Sequence, residues 1–149
     1  MQVMPFDRRS RRSLNRSDAL HFQLVQVAED FDLDMFVVAD ELGELIATST
    51  RSADGTEISN LFALFSPMLV ESRSASAQDR ARTVLFTHLE ELGMFWEADE
   101  IVVREFHVDG NKMLLVGVGE ATTMREVGVY RAILGARRIW EQTHHRAAA

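Results

Sequence analysis

The chain, 149 residues long, contains no cysteine. Disulfides, thiolate nucleophiles and zinc sites of the cysteine type are thereby excluded, and the absence fits a reducing compartment. Nor does any apolar run approach the roughly 18–20 residues needed to cross a bilayer. The opening stretch Met1-Gln2-Val3-Met4-Pro5-Phe6-Asp7-Arg8-Arg9 leads into arginines and polar residues, where a secretory signal would have its apolar segment. A cytoplasmic protein is the expectation. Lysine is nearly missing as well: Lys112 stands beside fifteen arginines, a skew read as base composition with no mechanism attached.

What is present is ordinary for a globular protein: 46% apolar and 26% charged residues, in a length that suits one domain with a genuine core. The net charge of −7 hides an asymmetry. Residues 1–16 carry Arg8, Arg9, Arg11, Arg12 and Arg16 against Asp7 alone, so a basic arm precedes an acidic body. The arm has no hydrophobic period. Two readings stand: a flexible segment, or a basic arm that grips an acidic protein, a membrane surface or nucleic acid. An acidic body repels nucleic acid, so any grip on a phosphate backbone would rest on the arm.

Ser17 and Asp18 open a helix whose Leu20, Leu24, Val27, Ala28 and Phe31 recur at helical spacing. Leu33 to Asp40 is a continuous apolar strand with both faces covered, followed by the turn Glu41-Leu42-Gly43-Glu44 and a second strand from Leu45 to Ser49. Thr56 is placed to cap a second helix with the stripe Ile58, Leu61, Phe62, Phe65 and Leu69. Pro67 should kink or break that helix near Ser66. Ser72 to Asp79 reads as a flexible loop, and a further helix from about Gln78 buries Ala81, Leu85, Leu89 and Leu92 and closes on Gly93. Met94 to Ala98 is a candidate short strand. Glu100 to Asp109 is a stronger one, turning through Asp109-Gly110-Asn111 into the apolar strand Lys112 to Gly119. Thr122 or Thr123 then caps a final helix with Val129, Ile133, Ala136 and Trp140 inward, and Gly128 and Gly135 on its flank mark a close approach. The expectation is an α/β (α+β) domain over residues 17–143. Its antiparallel sheet of four to five strands has helices on one face, in the order α-β-β-α(α)-β-β-(β)-α, and residues 144–149 form a frayed tail.

Chemistry is sparse. Neither Gly-x-x-x-x-Gly-Lys-Ser/Thr nor Gly-x-Gly-x-x-Gly occurs, and in Gly117-Val118-Gly119 packing explains the glycines better than an anion does, with Glu120 opposing one. Among His21, His88, His107, His144 and His145 no His-x-x-x-His clamp exists, and His88 with Glu91 reads as a surface helix pair. No serine sits in a nucleophile elbow. Acidic pairs such as Glu90-Glu91 and Asp99-Glu100 read as solvated faces. Arg104 shares a strand face with Val102, Phe106 and Val108, where an unpaired charge is costly to bury. That face is open at an edge or interface, or Arg104 pairs with a carboxylate. No catalytic, cofactor or metal residue is assigned.

Two segments carry a resemblance. Phe36-Val-Val-Ala-Asp-Glu-Leu-Gly43-Glu-Leu-Ile-Ala47 resembles the first hairpin of the roadblock family, the small roadblock/profilin-like domains of dynein light chains and bacterial regulators of Ras-like GTPases. Ile101 to Gly119 and the helix through Trp140 are similar to that family's closing hairpin and last helix. The resemblance covers about residues 17–142; a longer middle segment, 66–93, and the basic arm depart from it. It implies a bacterial, non-catalytic homodimer, its sheets joined edge to edge and its second helices side by side, that acts as a scaffold or signalling regulator of a small GTPase. Ile58, Leu61, Phe62, Phe65 and Leu69 would then serve both core and dimer contact, with Arg104 at the partner edge. The alternative is a GAF- or PAS-like sensor holding a small ligand near Met94, Phe95, Trp96 and Met113.

Overall fold

A computed structural model describes residues 16–70 and 73–148, with side chains through Gln142. The arm expected over 1–16 lies outside the described residues except for Arg16. The elements are α1 (Arg16–Asp30), β1 (Met35–Asp40), β2 (Leu45–Thr48), α2 (Ala53–Leu69), α3 (Ala75–Glu91), a 3₁₀ turn (Ala98–Glu100), β3 (Ile101–Val108), β4 (Asn111–Val118) and α4 (Thr123–Ala148). Helical backbone thus reaches into the 144–149 tail. The four strands form one antiparallel sheet in the order β2-β1-β4-β3.

Turn chemistry sets both hairpins. At β1–β2 the Asp40 carboxylate accepts the N–H groups of Leu42 and Glu44, and Gly43 takes a φ of +86°. At β3–β4, Asp109 and Gly110 both have positive φ, the two-residue geometry that matches strand twist. The register then follows, with Phe106 opposite Met113 and Arg104 opposite Leu115.

Helices cover both faces of the sheet, which corrects the one-faced arrangement expected. One layer is α1 and α4, whose Leu20, Leu24, Val129 and Ala132 pack on Phe36, Val38, Phe106 and Leu115. The other is α2 and α3, whose Ile58, Phe62, Leu85 and Leu89 pack on Val37, Val103, Leu114 and Val116. The cause lies in β1 and β4 themselves: as unbroken apolar runs they put hydrophobic side chains on both sides, and each side must be buried. Gly128 and Gly135 are the crossing points of the first layer. A Cβ on Gly128 would come 3.0 Å from Phe31 Cβ, and one on Gly135 would collide with the Gln23 amide.

Secondary structure differs from the sequence expectation in four places. Ser52, not Thr56, caps α2 by accepting the Gly55 N–H. Ser74 likewise caps α3 by accepting the Ala77 N–H, so the helix begins ahead of Gln78 and the loop is shorter. In both places the cap precedes the apolar stripe by more than one turn, which hides it from periodicity. Met94 to Ala98 forms no strand; after Gly93 the chain runs on to the 3₁₀ turn, leaving the sheet with four strands. Finally, α2 is not broken at Ser66. Pro67 deprives the Ala63 carbonyl of its helical donor, but the buried Ser66 hydroxyl donates to that oxygen at 2.8 Å. The lost bond is replaced in place.

Candidate functional site

Most of α2 is committed to the core. Ile58, Phe62 and Leu69 are buried against the sheet, and Leu61 and Phe65 are half-buried at the edge of the same cluster. One turn round the helix the apolar residues continue into solvent: Leu64 is 60% exposed and Met68 39%. Leu61, Leu64, Phe65 and Met68 are spaced i, i+3, i+4, i+7, a second apolar stripe beside the buried one. The sequence reading missed Leu64 and Met68 because it sought a single stripe. Their signal was there in a helix apolar on more than one side.

Two neighbours extend this flank. The β1–β2 turn leans on α2, since a Cβ at Gly43 would lie 3.1 Å from the Leu64 carbonyl oxygen, and its Leu42 is 79% exposed. On the other side the Phe65 ring lies 6.3 Å from the His88 ring of α3, and Val84, one turn before His88, is exposed. The pocket expected of a sensor does not assemble. Met113 is buried in the α1–α4 layer, whereas Met94 and Trp96 pack in the α2–α3 layer and Phe95 faces solvent. The Trp96 ring lies tilted against that of Phe62, 5.6 Å away, and its indole N–H donates to Asp34 at 3.0 Å, a structural tie. Between α2, α3 and β3, a cleft of about 20 Å³ lined by Leu69, Arg82, Leu85, Ile101 and Val103 holds roughly one water.

Arg104 sits on the edge strand β3 and also pairs with a carboxylate: its Nη2 is 3.2 Å from Glu126 Oε2 on α4. The other Glu126 oxygen lies 3.7 Å from Arg125. Arg125, only 9% exposed, donates to the carbonyls of Asp99 and Gly119 and so ties together the 3₁₀ turn, the end of β4 and the start of α4. The sequence reading passed over it. Its signal was position: with Val129, Ala132 and Ala136 it forms the buried stripe of α4, a place where a charge must have partners. Thr122 caps that helix through the Arg125 N–H. Gly117 is flanked by Val129, Phe36 and Val102, each within 3.3 Å of where a Cβ would stand, so packing accounts for it. His88 pairs loosely with Glu91 at 3.9 Å, as a surface histidine would. Among the described residues no group of three or more His, Asp or Glu side chains is placed to hold a metal ion, and no helix is long and apolar enough to cross a membrane.

These features define an α+β protein with a four-stranded antiparallel sheet clad in two helical layers, and with an apolar flank open on one of them. No protein-family model matches the chain, and no curated protein matches it. Among solved structures it is similar to Myxococcus xanthus MglB over 95% of this chain and 96% of that one, with a TM-score of 0.46 and 13% identity.

Proposed function

We propose that the chain is a non-catalytic protein-interaction module, a homodimeric regulator or scaffold that acts on a small Ras-like GTPase. The observation that carries this reading is the solvent-facing apolar flank of α2, Leu61, Leu64, Phe65 and Met68, extended by Leu42. An apolar stripe left outside an otherwise well-filled core is the mark of a contact surface. In a side-by-side arrangement of second helices one flank of α2 is already taken by α3 of the same chain, so a partner's helix would meet Leu64 and Met68. A module of this kind has no phosphate loop because the nucleotide and the catalytic groups belong to the GTPase.

Light scattering over a range of concentrations tests the dimer. The wild type is expected to be a dimer, and Leu64→Asp with Met68→Asp a folded monomer, since anchors of this type are each worth about 2 kcal/mol or more, on the order of 30-fold in Kd. GTP hydrolysis by candidate small GTPases should rise with the wild type and not with the double variant. A wild type that stays monomeric at every concentration sinks the dimer, and unchanged hydrolysis with every GTPase tried sinks the regulator.

A further inference from the structure

The charge asymmetry seen in the sequence has a spatial counterpart. Residues 17–122 hold twenty acidic residues against six basic ones, whereas α4 holds five arginines against two glutamates and residues 1–16 five against one acid. The fold sets Arg16, the last residue of the first segment, against the second. Helices α1 and α4 run antiparallel, and the Arg16 guanidinium lies 4.0 Å over the Trp140 ring, in the C-terminal half of α4. There the solvent face of α4 interleaves arginine with apolar side chains: Tyr130 (61% exposed), Arg131, Leu134, Arg137 and Arg138 are all exposed, as is Phe22 (65%) on α1.

We propose that this corner is a docking face for an anionic lipid surface. The chemistry favours lipid over the other acidic partners. Arginines drawn to headgroup charge, with an aromatic ring and an aliphatic side chain between them on one helix face, are what an interfacial helix offers to the headgroup–acyl boundary. A duplex has no use for Leu134 and Phe22, whose apolar side chains would stay in water beside its phosphates. The opposite end of the same layer, with Glu29, Asp30 and Asp32, turns away from such a surface, so the molecule docks by its corner.

Co-sedimentation of the full chain with phosphatidylcholine vesicles, with and without phosphatidylglycerol, tests the proposal. Binding is expected only with the anionic lipid and should weaken as salt rises. Each arginine neutralised in Arg131→Gln, Arg137→Gln and Arg138→Gln should lower the partition coefficient about fivefold. Leu134→Ser should lower it further at unchanged salt dependence, because it removes apolar contact and no charge. All three helix arginines are exposed, so circular dichroism should show every variant folded. No sedimentation with anionic vesicles, equal sedimentation with neutral ones, or variants that bind like the wild type would each overturn the proposal. Binding to duplex DNA without binding to vesicles would instead assign the corner to nucleic acid and overturn it too.

Discussion

At the scale of single residues, the two arginines joined through Glu126 show how differently the same side chain can serve. Arg104 is a third exposed and bonded to a partly exposed carboxylate, a pair worth 0–1 kcal/mol at most. Arg125 is buried and its guanidinium donates to two main-chain carbonyls, those of Asp99 and Gly119, while its Nε has no partner. Arg125→Ala should therefore cost about 2–4 kcal/mol, by leaving the buried Gly119 carbonyl unpaired and a cavity behind, and Arg104→Ala less than about 1 kcal/mol. Urea unfolding midpoints of the two variants decide it, and equal losses would mean that Arg125 is not the tie it looks to be. The alternatives set for Arg104, edge or carboxylate partner, were readable because a strand alternates its faces. Arg125 was not, since its partners lie 26 residues back and 6 back as carbonyls, which no side-chain pattern encodes.

At the scale of elements, what ends a helix or turns a hairpin was more legible than what begins one. Gly93 closes α3 with φ +79°, its N–H bonded to the Glu90 carbonyl and that of Met94 to the Leu89 carbonyl, a Schellman end. Gly110 has φ +80° in the hairpin turn, and at both sites a Cβ would meet nothing within 4 Å. Gly93→Ala and Gly110→Ala thus isolate backbone strain from crowding. Each should cost about 1–2 kcal/mol, and the double variant should show their sum within about 0.5 kcal/mol, because the two sites share no partner. Thermal unfolding of the three variants measures this; a neutral Gly110→Ala would show that the turn relaxes to another type. The starts of α2 and α3 were hidden because Ser52 and Ser74 cap ahead of the apolar periodicity. The apparent strand at Met94–Ala98 was misleading for the opposite reason: Met94 and Trp96 are half-buried on tertiary contacts, Trp96 on Phe62 and Asp34, and not on strand pairing.

At the scale of the whole molecule, the two-sided sheet decides both stability and where function can sit. The continuous apolar runs of β1 and β4 require cover on both faces, which the chain order of the helices does not reveal: α1 and α4 share one face, α2 and α3 the other. Leu114 and Leu115 are adjacent on β4, both fully buried, and face opposite layers. Leu114→Ala and Leu115→Ala should each cost about 2–5 kcal/mol, with a larger loss where the layer cannot close on the cavity. A one-sided sheet makes a different prediction: one of the two would point to solvent and its truncation would be nearly neutral. Denaturant unfolding of the pair therefore separates the architectures directly. With both faces filled by the chain's own helices, the sheet has only its edges and the outer surfaces of the helices left to offer a partner. That is why the apolar flank of α2 and the arginine-rich corner of α4, on opposite layers, can be engaged at once without competing for the same surface.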